Sequence, residues 1–142
     1  MPTAFTPLQP DGRLHGVVAG VRRDDGRWLL IRRAAGLKRA PLKVCFPGGA
    51  VELDEPLDRA VVRELLEELG VIVRPRRLCW RWDSPTDPLT LFGWLADLES
   101  GEPTANPAEV AEVLWLDPEE VRAHPDGLPT NREFLGCLMD AG

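Results

Sequence analysis

The strongest constraint on the fold is a thirteen-residue segment, 57–69, that contains neither Gly nor Pro. Within it, leucine and valine recur at every fourth position, which is the spacing of one buried face of an α-helix. These positions are Leu57, Val61, Leu65 and Leu69. Pro56 suits the first turn of such a helix, and Gly70 provides a left-handed end. We therefore predict a helix over 57–69 that packs one face against a core.

The remaining chain predicts short strands and two further helices. Two apolar runs on either side of the Asp-Asp-Gly sequence at 24–26 predict a β-hairpin over 15–33. Segment 34–42 reads as an exposed loop, and a short buried strand follows over 44–46, broken by the Pro-Gly-Gly at 47–49. Further predicted elements are strands at 77–82, 89–98 and 110–116, a short helix capped by Asp117 and a terminal helix at 131–139. This order predicts an α+β domain in which helices cover a mixed sheet.

Length and charge narrow the class of protein. A chain of 142 residues is about the size of one domain, so we expect a single domain over 1–142. The net charge of -6 and the pI near 4.9 argue against polynucleotide partners and anionic membranes, which attract basic surfaces. No apolar stretch approaches the roughly 20 residues of a membrane span, and the start of the chain resembles no secretory signal. We therefore expect a cytoplasmic protein.

The cysteines and histidines indicate no site of their own. Cys45, Cys79 and Cys137 are odd in number, far apart and without a C-x-x-C pair, which argues against a disulfide framework or a zinc site. His15 and His124 are distant in sequence, so we expect structural or surface roles for both.

A group of carboxylates on the predicted helix carries the clearest chemical signal. Glu64, Glu67 and Glu68 stand at positions i, i+3 and i+4, which places them on one helix face within about 5 to 6 Å between Cβ atoms. Like charges so close repel one another, whereas a divalent cation reverses the sign of that interaction. A solvated acidic surface is the alternative for this fragment alone. The glycines at 48 and 49 favour a metal-binding site, because they leave the backbone exposed beside the helix.

Fixed spacings extend this group from Gly49 to Val71. A Gly at 49 is followed six residues later by a Glu, and eight residues after that by an Arg-Glu pair at 63–64. Two adjacent Glu follow at 67–68, and a Gly with an aliphatic residue follows at 70–71. These positions hold Gly49, Glu55, Arg63, Glu64, Leu65, Glu67, Glu68, Gly70 and Val71. The pattern resembles the signature of the Nudix family in full, and it implies a Nudix-type α/β/α sandwich with a mixed central sheet flanked by helices. Asp54 and Pro56 depart from the usual pattern, and neither departure removes a ligand.

The resemblance implies roles for individual residues. Glu64, Glu67 and Glu68 would bind the metal, and Glu67 or Glu68 would also orient or deprotonate the attacking water. The carbonyl of Gly48 would be a further metal ligand. The implied cofactor is Mg²⁺, with Mn²⁺ as a second option.

Arg63 and Glu55 resemble the pair that fixes the loop to the helix, with an exposed ion pair of little energy as the alternative. Further structural support is expected from Gly49, Glu52 and Gly70. The implied reaction is attack of water on a P–O–P linkage in a nucleoside diphosphate that carries another group. Such a substrate is anionic, and segment 49–71 already holds seven acids and two bases, a net -5 of the chain's -6. Metal ions must therefore bridge the two.

The substrate is less constrained. Arg33 and Phe46 lie in runs that resemble MutT-type nucleoside triphosphatases, in which an arginine at this position helps to hold the nucleotide. The resemblance implies that both residues contact the substrate. Asn131 resembles the base-reading Asn of that group, with a helix cap as the equal alternative. Strand aromatics that could stack a base, although such residues more often belong to the core, are Trp80, Trp82 and Trp94.

Several alternatives stay open at this point. A downstream carboxylate is expected to complete the metal site, and Glu109 is favoured over Glu102 and Glu112 because it lies in a loop before a strand, although each could be a solvated acid. We rank a nucleoside triphosphate first, its base an ordinary or oxidised purine, cleaved to monophosphate and pyrophosphate. An ADP-ribose or nucleotide-sugar pyrophosphatase is second, since Pro85 lies close to a Pro typical of ADP-ribose hydrolases. A nucleotide sensor that does not cleave is third. Family members are often dimers, which leaves a homodimer open.

Overall fold

The computed structural model describes residues 8–141, which form seven strands and three helices. The strands are β1 (Leu14–Val21), β2 (Trp28–Arg33), β3 (Val44–Cys45), β4 (Gly48–Ala50), β5 (Ile72–Asp83), β6 (Leu89–Ser100) and β7 (Val110–Leu116). The helices are α1 (Leu57–Leu69), α2 (Pro118–Ala123) and α3 (Thr130–Ala141). Within this part of the chain, no helix is long and apolar enough to cross a membrane.

α1 spans the predicted residues and buries most of the predicted face. Its buried apolar side chains are Ala60, Val61, Leu65 and Leu69. Pro56 stands one position before the first turn, as an N-cap in extended conformation (φ -60°, ψ 143°), rather than inside the turn as predicted. Gly70 ends the helix at φ 66°, and its N–H donates to the carbonyl of Leu66 at 2.9 Å.

The predicted hairpin over 15–33 is wrong in its pairing. Its turn forms, with Gly26 at φ 87° and the N–H of Arg23 donating to the carbonyl of Arg27 at 2.8 Å. β1, however, pairs with β4 and β6, whereas β2 pairs with β3 and β7. Because strands from distant parts of the chain occupy both hydrogen-bonding edges of β1 and of β2, these two strands cannot pair along their length.

The strands form two sheets. The larger has the order β4-β1-β6-β5 and is mixed, because β1 and β6 run parallel while its other pairs are antiparallel. The smaller, β3-β2-β7, is antiparallel. β5 begins earlier than predicted and passes through Pro75, which an outer strand of a sheet tolerates. The predicted α+β class, with a mixed sheet flanked by helices, is confirmed.

The Pro-Gly-Gly sequence at 47–49 joins the sheet, whereas the sequence indicated only a break. β3 ends at Cys45, yet Gly48 and Gly49 enter β4 and pair antiparallel with β1. A Cβ at Gly48 would collide with the carbonyl oxygen of Val17. Glycine therefore allows the two backbones to approach at this point.

Two apolar clusters lie on opposite faces of the mixed sheet. The first, which we call the α1 core, contains Val17, Ala19, Val21, Val61, Leu65 and Leu69 among its members. The second, which we call the α3 core, contains Phe46, Trp80, Phe134, Leu135 and Leu138, with Val18 packed against it. Neighbouring residues of a strand point to opposite faces, so the alternation along β1 places α1 and α3 on opposite sides of the sheet.

Candidate active site

The candidate active site lies where α1 faces β4. Gly49 of β4 lies directly against Glu64 of α1, since a Cβ at Gly49 would collide with the Glu64 carboxylate. The N–H of Gly48 donates to Oε1 of Glu68 at 2.9 Å. The structure therefore brings the paired glycines into contact with two of the helical carboxylates, as their lack of side chains permits.

Arg63 connects the loop before α1 to these carboxylates. Its Nε and Nη2 donate to the two carboxylate oxygens of Glu55 at 2.7 and 2.9 Å, and Nη2 also donates to the carbonyl of Ala50 at 2.8 Å. Its Nη1 donates to Glu64 at 2.9 Å and to Glu67 at 3.3 Å. The hydrogen bonds from Arg63 lower the pKa of Glu55. Because the contact is bidentate and both side chains are mostly buried, it is stronger than an exposed ion pair.

Glu52 takes part mainly through its backbone. Its N–H donates to Oε1 of Glu55 at 3.0 Å, which holds the loop against the Glu55 side chain. Its own carboxylate is 69% exposed and lies 4.0 Å from Nε of Arg63. The Glu52 side chain is therefore peripheral to the site.

Glu64 and Glu68 are buried carboxylates, only 8% and 4% exposed. Burial raises the pKa of Glu64 to about 7, although Arg63 opposes the shift. Burial, followed by the charges of Glu64 and Glu109, raises the pKa of Glu68 well above its ordinary value. Such a pair favours the protonated state on its own and the ionised state when a divalent cation supplies positive charge.

Of the three downstream carboxylates, the structure brings Glu109 to the site. Its charge acts on both Glu64 and Glu68, and its Oε2 is buried with no hydrogen-bond partner in the described part of the chain. Glu112 instead accepts a hydrogen bond from an arginine of β2 at 3.2 Å, and Glu102 is exposed. A buried carboxylate oxygen without a partner is costly, which indicates a ligand position at Glu109.

Asn106, which was not among the predicted site residues, connects Glu109 to α1. The N–H of Asn106 donates to the carbonyl of Glu68 at 2.9 Å, and its Nδ2 donates to that of Glu67 at 3.3 Å. Its own carbonyl accepts from the N–H groups of Glu109 at 3.0 Å and Val110 at 2.8 Å. The last carbonyls of a helix have no partner within the helix and need donors from elsewhere in the chain. The Asn-Pro sequence at 106–107, which favours a turn, was the feature of the sequence that could have indicated such a donor.

The donor set fits a hard divalent cation. Carboxylate oxygens suit Mg²⁺ and Mn²⁺, and the buried Oε2 of Glu109, which has no hydrogen-bond partner among the described residues, leaves one such oxygen unused beside two buried carboxylates. Among residues 8–141, no three such groups already converge on one point, and Arg63 holds the carboxylates of Glu64 and Glu67. A cation that used these oxygens would compete with Arg63 for them.

Arg33 lies at the edge of this site. Its Nε donates to the carbonyl of Arg39 at 3.0 Å, in the loop that follows β2. Its positive charge opposes the burial that raises the pKa of both Glu68 and the Cys45 thiol. The position expected for a phosphate-binding arginine is therefore close to the carboxylate group.

Phe46 and Asn131 lie on the α3 side of the sheet. Phe46 is 3% exposed and its ring packs edge-on against Phe134, with centroids 4.8 Å apart. The expected contact of Phe46 with substrate is therefore corrected, because its side chain is enclosed in the core. Asn131 is the second residue of α3, and its Nδ2 donates to the carbonyl of Val44 at 2.9 Å, so it is not the helix cap. Its carbonyl oxygen and second N–H retain capacity for another partner.

The strand aromatics and the cysteines are mostly structural. Trp80 is buried and stacks on Phe134 with centroids 5.2 Å apart, while Trp82 stacks on Trp80 at 6.5 Å. Trp94 packs against the α1 core. The three cysteines are free thiols, as expected.

Comparison with known proteins relates this geometry to a family. Residues 13–136 match the family described as the NUDIX domain. The chain is 34% identical over 145 residues to m7GpppN-mRNA hydrolase NUDT17 of Danio rerio, covering 88% of this chain and 48% of that protein. It is 32% identical over 102 residues to 8-oxo-dGTP diphosphatase of Escherichia coli (strain K12), covering 70% and 79%. It is 43% identical over 113 residues to ADP-ribose pyrophosphatase of Methanocaldococcus jannaschii, covering 73% and 64%.

The fold has a close counterpart among solved structures. A MutT protein from Methanosarcina mazei Go1 superimposes with a TM-score of 0.78 over 97% of this chain and 98% of that one, at 21% identity. At this identity the likeness concerns the fold alone. The chain spans 48% of NUDT17 and 64% of the ADP-ribose pyrophosphatase, so the named activities of those longer proteins describe them as wholes.

Proposed function

The chain belongs to the Nudix family of hydrolases, and from that membership we propose that it is a metal-dependent pyrophosphohydrolase. The favoured substrate is a nucleoside triphosphate with an ordinary or oxidised purine base, cleaved to the monophosphate and pyrophosphate. The observation that carries the proposal is the group of Glu64, Glu68 and Glu109, in which two carboxylates are buried and the third has a buried oxygen without a partner. This group is unfavourable alone and favourable around a cation.

The residues that would hold Mg²⁺ or Mn²⁺ are Glu64, Glu67, Glu68, Glu109 and the carbonyl of Gly48. When bound, the cation neutralises phosphate charge and activates water for attack on phosphorus. Arg63 holds the loop before α1 in place through its bidentate contact with Glu55 and its bond to Ala50. Catalytic geometry of this kind depends on support from such fixed neighbours.

Glu67 or Glu68 accepts the proton of the attacking water. The two are alternatives: the Glu68 carboxylate is buried and accepts from the N–H of Gly48, whereas the Glu67 side chain is 49% exposed and accepts from Arg63. A proton acceptor must be ionised, and a bound cation favours the ionised state of these carboxylates.

The charge of the substrate explains the placement of Arg33. A nucleoside triphosphate brings several negative charges into an acidic region, and a guanidinium group can bind phosphate oxygens in a bidentate manner. Arg33 supplies this positive charge close to Glu68, at the edge of the carboxylate group. Asn131 is 4% exposed on the other side of the sheet, and we propose it as the base-reading residue from its resemblance to the MutT group, since one N–H and its carbonyl oxygen make no hydrogen bond within the described residues.

An ADP-ribose or nucleotide-sugar pyrophosphatase is the second candidate. The ADP-ribose pyrophosphatase relative has 43% identity, and the same carboxylate site would cleave its pyrophosphate linkage. The 8-oxo-dGTP diphosphatase relative supports the first candidate and is matched over 79% of its own length. A sensor that binds without cleaving is third, and the complete set of box carboxylates disfavours it.

We also propose that the protein acts in the cytoplasm as a single domain over 1–142 with small nucleotides as its partners. The match over residues 13–136 supports one family domain in most of the chain. A homodimer is one candidate for its oligomeric state, and light scattering of the purified protein would measure the mass of the particle in solution.

The test is a hydrolysis panel with the purified protein and Mg²⁺. The compounds are purine and pyrimidine nucleoside triphosphates, 8-oxo-dGTP, ADP-ribose, nucleotide sugars and an RNA with an m7Gppp 5′ end. Pyrophosphate release from a triphosphate supports the first candidate, and release of a nucleoside monophosphate from ADP-ribose alone supports the second. EDTA and the Glu68→Gln variant are the controls: EDTA should abolish turnover, and Glu68→Gln should lower it by roughly 10² to 10⁴-fold.

Release from the capped RNA alone would overturn the proposal of a small nucleotide substrate. Binding of nucleotides in calorimetry without release from any compound would overturn the enzyme and favour the sensor.

A further inference from the structure

Arg32 and Arg33, neighbours at the end of β2, serve different parts of the molecule. Arg33 lies near the carboxylate group and donates to the carbonyl of Arg39. Arg32 instead donates to Glu112 of β7, the residue opposite it in the sheet. The register of β2 and β7 shifts between the two arginines, an irregularity of the kind that redirects side chains beside functional sites.

The guanidinium group of Arg32 joins four segments of chain. Its Nη1 donates to the carbonyl of Leu42 at 2.8 Å and to Oδ2 of Asp126 at 2.9 Å, while its Nε donates to Glu112 at 3.2 Å. The side chain of Arg32 is 25% exposed, whereas those of Asp126 and Glu112 are about half exposed at 46% and 52%. The planar guanidinium suits several acceptors at once, which a lysine ammonium does not match in geometry.

The loop over 34–43 needs such an anchor. Ala40 and Leu42 adopt positive φ angles, 45° and 62°, which are unfavourable for residues with side chains. The bond from Arg32 ends on the carbonyl of Leu42, at one of these two residues. The same loop carries the carbonyl of Arg39 that holds Arg33. A shift of Leu42 to an ordinary conformation would therefore move the residue that orients Arg33.

Asp126 extends the anchor to the segment before α3. Its carbonyl accepts from the N–H of Val44 at 2.9 Å, and the carbonyl of Val44 accepts from the N–H of Leu128 at 3.1 Å. Nδ2 of Asn131 donates to the same Val44 carbonyl at 2.9 Å. Arg32 thus contacts both the loop that holds Arg33 and the turn that leads to Asn131.

We propose that Arg32 is a positioning residue for substrate binding, which acts through the loop over 34–43 on Arg33 and through Asp126 on Asn131. The inference rests on the proposed function, because Arg33 and Asn131 are its substrate-binding residues. Arg32 makes no contact with the carboxylate group, so its effect falls on the affinity for the nucleotide and not on the chemical step.

The first test separates KM from kcat in Arg32→Gln, with the best substrate of the hydrolysis panel. KM should rise by about tenfold, equivalent to about 1.4 kcal/mol, because Arg33 loses its fixed orientation. The value of kcat should stay within roughly twofold, since the carboxylates are unaltered. Glu112→Gln is the matched control, because it removes the ion pair on β7 and leaves both loop contacts of Arg32 in place. Its KM should equal that of the unaltered protein.

Two results would overturn the proposal: an unchanged KM in folded Arg32→Gln, or an equal rise of KM in Glu112→Gln, which would assign the effect to the β2–β7 pair. Asp126→Ala provides a second variant if Arg32→Gln does not fold. It removes the side-chain acceptor of one of the two loop contacts, so its KM should lie between those of the unaltered protein and Arg32→Gln, and an unchanged KM would count against the role of Asp126.

The second test does not depend on activity. Hydrogen exchange of the N–H groups of Leu42 and Lys43, which bond to the carbonyls of Arg33 and Ala40, should be faster in Arg32→Gln than in Glu112→Gln. Equal exchange in both variants would refute the anchor itself. If exchange changes but no compound is hydrolysed by the unaltered protein, the anchor stands and the proposed function fails.

Discussion

The α1 core and the α3 core are similar in their apolar packing and differ in the kind of buried polar group beside them, which is ionisable at the α1 core and neutral at the α3 core. At the margin of the α1 core, Glu64 and Glu68 are buried with raised pKa values, and burial is the main cause for both. Beside the α3 core, the buried polar groups are neutral: the amide of Asn131, which donates to the carbonyl of Val44, and the indole N–H groups of Trp28 and Trp80, which have no partner among the described residues. Aromatic rings stacked on one another fill the rest of that core.

This difference places the candidate active site on the α1 face of the mixed sheet and a purely structural core on the α3 face. Buried ionisable groups whose charged state lacks compensation mark functional sites, because a ligand must supply what the protein does not. Buried polar groups with a partner stabilise a particular packing. Substitutions on the α1 side should therefore change turnover and the dependence on pH and metal, whereas substitutions on the α3 side should change the free energy of unfolding.

The largest effect is expected for Glu68→Gln. Turnover should fall by roughly 10² to 10⁴-fold, the contribution typical of general acid–base catalysis. Glutamine keeps an oxygen that can accept from the N–H of Gly48, so the variant should unfold without metal at the same or a higher temperature. Steady-state rates and thermal unfolding in EDTA measure the two quantities. Full turnover of Glu68→Gln with Mg²⁺ would show that this carboxylate takes no part in the reaction and would contradict the assignment of catalysis to the α1 side.

Phe134→Ala should have the largest effect on stability. Its ring lies between those of Phe46 and Trp80, and removing a buried phenylalanine side chain typically lowers the free energy of unfolding by about 3 to 5 kcal/mol. Urea denaturation measures this loss, and Phe134→Leu, which fills most of the space, is the matched control. The affinity for Mg²⁺ should be unchanged in the folded variant, so a loss of metal binding would show that the two faces are coupled.

Glu64 should make the stability of the metal-free protein depend on pH. Its pKa is about 7 when folded and near 4.5 when unfolded, so the folded state binds the extra proton between these values. Stability from this group is therefore present below pH 4.5 and is lost as the pH rises through 7, with a slope of up to about 1.4 kcal/mol per pH unit. Denaturation in EDTA at several pH values should show this decline, and Glu64→Gln should reduce its slope, leaving the part that comes from Glu68. The same slope in both proteins would contradict the assignment.

Asn131→Ala should have the smallest effect on stability and should show whether any residue on the α3 side also contacts the substrate. The carbonyl of Val44 keeps its bond from Leu128, so only about 1 kcal/mol of stability should be lost. If Asn131 contacts the base, KM should rise for purine nucleotides and not for pyrimidine nucleotides. Unchanged KM values for both would leave Asn131 with a purely structural role and would make the separation of the two faces complete.

Much of the candidate site could be predicted because its parts are close in sequence. The spacing of Glu64, Glu67 and Glu68 requires only helix geometry, and the capping box of Asp117 with Glu120 likewise forms within four residues. The burial of Phe46 was predicted with its strand, but its packing against Phe134, far along the chain, was not, and that packing encloses the side chain that was expected to contact the substrate.

The sequence by itself determined the position and both ends of α1, the carboxylates on its face and the family to which the chain belongs. These features follow from propensity, periodicity and spacing over a few turns, which local backbone geometry controls. Only the tertiary structure decided that β1 and β2 enter different sheets, that Glu109 is the downstream carboxylate beside the site, and that Asn106 and Arg32 connect its loops. The physical reason is that each of these features depends on which groups, distant in sequence, become hydrogen-bonding partners. Several strands, carbonyls and carboxylates compete for each partner, and the outcome is decided only when the sheets assemble.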